Sequence, residues 1–355
     1  MHNKQIIGLI FGGQSPEHKI SLLSAKNIIH SIDKNKFELT LIGIDQNGAW
    51  GLYDETNTFL NPENPETICL AEKIAELIIK PGKNGGIINL TNQRILELDL
   101  VFPMIHGLNC EDGTLQGLLQ TANLPFVGTG ILGSAIGMDK DVMKRLLKEA
   151  SFKIAHDLIF KVFEKDQINF QKVTDQLGLP LFIKPANTGS SIGISKVTDE
   201  NEFYRAISKA FEFDQKILIE EAIVGREIEC AVMGNDQPET SLIAEIVPNH
   251  SFYSYEAKYL DSKGASINYP VEFEKNLLKK IRETAAKAYS TLEAQDFARI
   301  DMFLTSSNEI YINEINTLPG FTNGSMFPKL WEVSGLSQTE LITKIINYAF
   351  KRYGL

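Results

Sequence analysis

Arg299-Ile300-Asp301 and Glu314-Ile315-Asn316 lie on two alternating apolar and polar runs separated by a short turn. Period-two alternation puts Arg299 and Asp301 on one face of a strand, and antiparallel pairing across the turn brings Glu314 and Asn316 to that face. Three oxygen donors beside an arginine suit Mg²⁺, which takes a few carboxylates and completes its shell with water and substrate phosphate oxygens. A salt bridge across the hairpin would account for Arg299 with Glu314 but leave the clustering of Asp301, Glu314 and Asn316 unexplained. The metal is the expectation.

A second constellation, Phe182-Ile183-Lys184-Pro185-Ala186-Asn187-Thr188-Gly189-Ser190-Ser191-Ile192-Gly193-Ile194, sets a lysine on a strand before a turn rich in backbone N–H groups and hydroxyls. Such a turn can close over phosphates. It is no P-loop, because the Gly-Lys-Ser/Thr ending is absent and a strand follows. Taken alone, these residues fit a phosphate-covering turn and a solvent-exposed hairpin equally. A third run, Gly128-Thr129-Gly130-Ile131-Leu132-Gly133, matches the dinucleotide fingerprint, with Glu149 about 20 residues on. It raises an NAD-dependent dehydrogenase as a rival. The run falls at the end of an α/β region instead of in its first βα turn, which favours a hinge into the next domain.

The elements that position these residues follow from local pattern. The apolar run at 6–11, ended by Gly12 and Gly13, predicts a buried parallel strand. A helix should follow, capped by Ser15, with Pro16 and Glu17 in its first turn. Strands are expected at 40–44, 98–105 and 125–127, with a helix from Thr114; residues 57–92 carry no motif. An amphipathic helix is predicted at 138–150, and two strands joined by a turn at 179–197. Further strands are expected at 216–221, 227–233, 241–248, 299–304 and 309–315, and a closing helix from Ser337. The expected division is a first α/β domain at 1–128, a second at 129–224 and a third at 225–355.

A length of 355 residues fits two or three cores. Hydrophobic residues at 43% and charged residues at 23% exclude both a membrane-embedded and a disordered composition. A net charge of -10 argues against nucleic acid and anionic lipid as partners, so any anionic ligand must be met locally. Cys69, Cys110 and Cys230 are far apart and in no metal-binding spacing, which predicts free thiols in a reducing compartment. The N-terminal apolar run is too short for a signal peptide, and no stretch approaches the roughly 20 apolar residues of a membrane span. A cytoplasmic location is expected.

In chain order, several motifs together resemble the D-alanine:D-alanine ligase family of the ATP-grasp superfamily over nearly the whole length. They are Gly12-Gly13-Gln14-Ser15-Pro16-Glu17-His18-Lys19-Ile20-Ser21-Leu22, Phe102-Pro103-Met104-Ile105-His106-Gly107, Glu111-Asp112-Gly113-Thr114-Leu115-Gln116-Gly117, Met138-Asp139-Lys140, the turn at 184–194, Glu256-Ala257-Lys258-Tyr259 and Asn313-Glu314-Ile315-Asn316-Thr317-Leu318-Pro319-Gly320-Phe321-Thr322. The resemblance implies an ATP-grasp fold, an open α/β domain followed by two α+β domains that clasp ATP. It implies Lys140, Lys184 and Lys258 on the phosphates, Glu220, Glu221 and Ile223 along the adenine edge, and Glu227 on the ribose. Mg²⁺ (or Mn²⁺) would be held by Asp301, Glu314 and Asn316.

The implied chemistry transfers the γ-phosphoryl of ATP to the carboxylate of one D-alanine, after which the amine of a second D-alanine attacks the acyl phosphate. Arg299 and the backbone N–H of Gly320 would meet the tetrahedral oxyanion. Taken alone, Glu17 reads as a helix-dipole carboxylate worth ~0.3–1 kcal/mol, and His106 as a loop histidine. The resemblance places Glu17 on the ammonium of the first D-alanine and His106 beside that substrate. Ser190 and Tyr259 would link Glu17 to a loop at 252–267 that closes over the site, while Ser325 and Met326 would receive the second D-alanine. Tyr259 favours an amine over a hydroxy-acid nucleophile, since relatives that make D-alanyl-D-lactate lack a tyrosine there; D-serine stays open. Cys110 departs from the glycine that many relatives carry before the Glu-Asp-Gly motif. A homodimer through the first domain is implied. The remaining rivals are an ATP-grasp ligase acting on another carboxylate, against which Glu17, Ser190 and Tyr259 argue together, and a catalytically dead binding protein.

Overall fold

The structure, a computed structural model, describes residues 4–248 and 265–355. Continuous apolar sequence makes β1 (Gln5–Gly12) a strand buried on both faces, and it pairs in parallel with β2 (Phe37–Ile44). The following strands are β3 (Trp50–Tyr53), β4 (Phe59–Leu60), β5 (Cys69–Leu70), β6 (Ala75–Lys80), β7 (Gly86–Asn89), β8 (Arg94–Ile95) and β9 (Leu100–Met104). They form a seven-stranded sheet in the order β8-β7-β6-β3-β2-β1-β9, with β9 parallel to β1, while β4 and β5 pair separately. The stretch at 57–92 that lacks a sequence signal therefore supplies strands of two to six residues each, too short to express a period. At 125–127 the expected strand is reduced to a single parallel bridge between Phe126 and Val101.

The first helix, α1 (His18–Ser31), begins later than expected. Glu17 is its N-cap position, and no side chain caps it. Ser15 lies ahead of the helix, its hydroxyl accepting from Glu17 N at 3.2 Å and donating to the His106 carbonyl at 2.7 Å. α2 (Thr114–Thr121) follows the loop after β9.

The helix predicted at 138–150 is present but starts two residues later. α3 (Ile131–Met138) stops at Asp139, whose extended backbone and carboxylate cap α4 (Lys140–Glu149) through Val142 N at 3.1 Å. Beyond it come β10 (Asp157–Lys161), α5 (Phe170–Leu177), β11 (Leu181–Pro185), β12 (Ser195–Val197), α6 (Glu200–Ala210) and β13 (Lys216–Glu221). The sheet runs β10-β13-β11-β12, antiparallel throughout, over a core that includes Val173, Ile183, Phe203 and Ile217.

The last part holds β14 (Arg226–Met233), β15 (Glu239–Pro248), β16 (Ala265–Asn268), α7 (Lys275–Thr291), β17 (Phe297–Leu304), β18 (Ile310–Asn316), α8 (Met326–Val333) and α9 (Gln338–Tyr353). Its sheet order is β16-β15-β14-β17-β18. Ser337 and Glu340 close a capping box at the start of α9. This part and the first share one core, in which Phe102 meets Phe297 and Phe321 edge-on and Phe327 packs against both of the latter.

The glycine run at 128–133 lies at the joint between these parts. Gly128, at φ +99°, donates its N–H to Asp296 at 2.8 Å. A Cβ on Gly133 would lie 2.3 Å from the Glu293 carbonyl oxygen, so close helix packing, not a dinucleotide phosphate, accounts for that glycine. Arg352 of α9 completes the joint, donating to the carbonyls of Phe126 and Gly128 and to Asp296, which is fully buried. All three cysteines are free thiols, and among the described residues no helix is long and apolar enough to cross a membrane.

Candidate active site

In the β17–β18 pair Arg299 faces Asn316 and Asp301 faces Glu314, so alternation carries all four side chains to one face as the pattern predicts. Arg299 forks onto Asp301, Nε to Oδ1 and Nη2 to Oδ2, each at 2.7 Å. From β14, the next strand over, Glu229 pairs with Asp301 and brings Oε2 to 3.4 Å from Arg299 Nε. Burial disfavours the guanidinium charge, yet Asp301, Glu229 and Glu314 outweigh it and hold Arg299 firmly protonated. Among the described residues no three acids, imidazoles or thiols gather as a metal site, and an oxygen set here would need the Asn316 amide as its third donor. Asp301 and Glu314 with that amide form a hard, oxygen-only set suited to Mg²⁺, and a carboxylate that accepts two hydrogen bonds from Arg299 keeps lone pairs for an ion.

After β18 the chain turns sharply, Leu318 N donating to Asn316 Oδ1 at 3.1 Å. The turn brings Gly320 so close to its surroundings that a Cβ there would meet Ser325 Oγ at 2.9 Å and His106 Nε2 at 3.6 Å. Ser24 of α1 secures this segment by accepting from Phe321 N at 3.1 Å and contacting His106 Nε2 at 3.3 Å. Ser325, at the N-cap of α8, accepts from Thr322 N at 2.9 Å. His106 is buried with Nδ1 3.7 Å from Glu111 Oε1. Burial lowers the imidazole pKa, but the carboxylates of Glu111 and Glu17 and a backbone contact at Leu318 raise it above its ordinary value.

From the opposite side of the cleft comes the turn after β11. Ser190 and Ser191 hold left-handed backbone, φ 51° and 60°. Asp214 anchors the turn by accepting from Asn187 N at 2.7 Å and Nδ2 at 3.0 Å. Lys140 Nζ donates to the Thr188 carbonyl at 2.5 Å, and Ser190 Oγ donates to Glu17 Oε1. This contact with α1 argues against a solvent-exposed hairpin.

Lys184 Nζ lies 2.6 Å from Glu220 Oε2 and 3.5 Å from Asn313 Oδ1, next to Glu314. Glu220 Oε1 meets Lys144 at 2.8 Å. Burial pushes the Glu220 pKa up, but Lys184 and Lys144 overcome it and bring it down to about 2. Glu221 accepts from His156 N at 2.8 Å, Ile223 is half-buried at the exit from β13, and Glu227 on β14 acts on Lys184 through its charge.

One cleft is lined by Glu17, His106, Lys140, Ser190, Arg299, Glu314, Asn316, Gly320, Ser325 and Met326, residues from all three parts of the chain. Lys184, Glu220, Glu221, Ile223, Glu227 and Asp301 are not on its wall. Lys258 and Tyr259, with residues 252–264 of the expected closing loop, lie outside the described residues. Sequence reasoning missed Glu111 and Glu229, which do line the cleft, and Lys144. Glu229 shares the period-two face of β14 with Glu227, but only the β14–β17 pairing brings that face to Asp301.

A family model described as the D-ala D-ala ligase N-terminus matches residues 6–129, and one described as the D-ala D-ala ligase C-terminus matches residues 146–347. A D-alanine–D-alanine ligase of Shouchella clausii is 51% identical over 352 residues, which cover 99% of this chain and 96% of that one. The solved VanG D-Ala:D-Ser ligase from Enterococcus faecalis superposes with a TM-score of 0.86 at 36% identity, covering 98% of this chain and 100% of that one. The D-alanine–D-alanine ligase from Bacillus anthracis, solved in complex with ATP, gives a TM-score of 0.74 at 25% identity, covering 99% of each chain.

Proposed function

The chain belongs to the D-alanine–D-alanine ligase family, and on that premise we propose that its cleft is where two D-alanines are joined at the expense of ATP. It is an ATP-dependent ligase of the ATP-grasp fold that forms a carbon–nitrogen bond, and its product serves peptidoglycan synthesis. The observation that carries the site assignment is that Glu17, Ser190, Arg299 and Gly320, far apart in sequence, line one cleft.

In this reading Glu17 pairs with the ammonium of the first D-alanine, oriented by Ser190 and with His106 beside it. A carboxylate oxygen of that D-alanine attacks the γ-phosphorus of ATP, the bond to the β-bridging oxygen breaks, and ADP leaves. Lys140 and Lys184 neutralise phosphate charge, while Glu220, Glu221 and Ile223 border the adenine and Glu227 the ribose. The amine of the second D-alanine, seated by Ser325 and Met326, then attacks the acyl carbon. Arg299 and the Gly320 N–H stabilise the resulting oxyanion before phosphate departs and the amine loses its proton. Asp301, Glu314 and Asn316 would hold Mg²⁺ or Mn²⁺, which supplies charge neutralisation for the transferring phosphoryl group. Tyr259 and Lys258 act from the closing loop. The chain divides after residues 128 and 224, works in the cytoplasm and pairs as a homodimer.

The resemblance to the VanG D-Ala:D-Ser ligase makes D-serine the alternative second substrate. Phosphate release from ATP, measured with D-alanine, L-alanine, D-serine and D-lactate singly and paired with D-alanine, tests both readings. A dominant D-alanyl-D-alanine mass requiring Mg²⁺ supports the first, a dominant D-alanyl-D-serine mass the second, and no release with any of them overturns both.

A further inference from the structure

Lys144 is a buried lysine to which the scheme above gives no task. It lies one turn after Lys140 on α4, so the two ammonium groups leave the same face of the helix. Its Nζ is 2.8 Å from Glu220 Oε1 and 3.2 Å from Asp157 Oδ1. Asp157 and Glu220 face each other directly across β10–β13, a placement in which like charges repel. Lys184 takes the other oxygen of Glu220 from β11, as its diagonal neighbour on the β11–β13 face.

Buried Lys144 and half-buried Lys184 thus both hold the buried Glu220 carboxylate before any nucleotide arrives. A polyphosphate drawing on Lys184 must compete with its contact to Glu220. If Lys184 were the only cation there, its departure would strand a buried carboxylate, and a buried charge without compensation is strongly disfavoured. The second lysine changes that outcome, because Glu220 keeps a partner whichever way Lys184 turns.

We propose that Lys144 is a positioning residue for nucleotide binding, holding Glu220 so that Lys184 can turn from that carboxylate to the phosphates. The inference rests on the reading of Lys184 as a phosphate ligand. The low pKa of Glu220 agrees with it, since burial alone would protonate the group and the two lysines together keep it ionised.

The test uses the full chain as wild type, Lys144→Met, Lys144→Arg, Glu220→Gln and Lys144→Met/Glu220→Gln. Steady-state kinetics and calorimetric binding of ADP with Mg²⁺ are the readouts. Lys144→Met is expected to raise the KM for ATP and weaken ADP on the order of 10- to 100-fold, as for partners in one network. The KM for D-alanine should stay within about twofold and kcat at saturating ATP within about threefold. Lys144→Arg restores ADP affinity most of the way. In the Glu220→Gln background, removing Lys144 costs less than about threefold, because the carboxylate in direct contact with Lys184 is gone.

A fall in melting temperature with kcat and both KM values unchanged or moving together would make Lys144 merely structural and overturn the proposal. Equal losses with and without Glu220 would also overturn it. Should Lys144→Met fail to fold, the comparison within the Glu220→Gln pair decides, and a further loss above tenfold counts against the idea. If wild type neither binds ADP nor releases phosphate with D-alanine, the ligase reading itself has failed and the proposal falls with it.

Discussion

Ser190 Oγ donates to Glu17 Oε1 at 2.5 Å across 173 residues of chain. The contact joins the turn after β11 of the central sheet to the start of α1 beside the N-terminal sheet. It positions the carboxylate assigned to the substrate ammonium with a residue of the element assigned to ATP. On the assignments proposed above, nucleotide and amino-acid subsites would share a support.

Ser190→Ala removes that support without removing the carboxylate. A hydrogen bond to a charged group contributes ~1.5–3 kcal/mol, so dipeptide formation should slow on the order of 10- to 100-fold, with a raised KM for D-alanine and an unchanged KM for ATP. Initial-rate kinetics at varied D-alanine decide. A change confined to the KM for ATP would contradict the role given to Ser190.

Arg299→Met leaves Asp301 and Glu229 buried without their guanidinium. Breaking such a pair costs ~3–5 kcal/mol, read as a lower urea midpoint, and activity should fall by roughly 100-fold or more for the lost oxyanion contact. Arg299→Lys keeps the charge but not the fork onto both oxygens of Asp301. Full activity in the lysine variant would show that charge alone suffices and the bidentate geometry is idle.

Glu314→Gln should uncouple nucleotide from metal. For the wild type, Mg²⁺ with a non-hydrolysable ATP analogue at about 100 times its Kd stabilises the fold by ~2.7 kcal/mol. The variant should show the smaller shift produced by the analogue without Mg²⁺, and wild type treated with EDTA should match it. An undiminished Mg²⁺-dependent shift in the variant would move the metal off this carboxylate.

The His106 imidazole has its pKa raised in the fold above 6.5, so its protonated form is favoured. Its contribution to stability is therefore fully present below pH 6.5 and is lost as pH rises through the folded value. Glu111 and Glu17 are the charges that face it, together with a backbone contact at Leu318. In Glu111→Gln, a histidine titration followed by NMR should move to lower pH, and the loss of stability above pH 6.5 should shrink. A His106 titration unmoved by the substitution would assign the shift to Glu17 or the backbone instead.

Part of this site was legible because its residues are close in sequence. The β17–β18 face needed only alternation and a short turn, and Arg299 opposite Asn316 follows from both. Glu229 was not legible in that way. It joins the same face through β14–β17 pairing, roughly seventy residues upstream, and no local period reports which strand will lie beside which. The start of α1 failed for a related reason: Ser15 is a good cap by type, but its hydroxyl goes to His106 on a distant loop. The strands between 57 and 92 were hidden by their brevity. For the catalytic roles, spacing offered only carboxylates, lysines and an arginine, and the family resemblance supplied the assignments.

The packing of Phe102 against Phe297 and Phe321, with Arg352 holding Phe126, Gly128 and Asp296 together, makes the first and last parts of the chain one body with a continuous interior. The central sheet keeps a separate interior around Val173, Phe203 and Ile217. Cooperativity follows the interiors. Scanning calorimetry should accordingly resolve two transitions, one for the central sheet and one for the remainder, and a nucleotide held between them should draw the two peaks toward one.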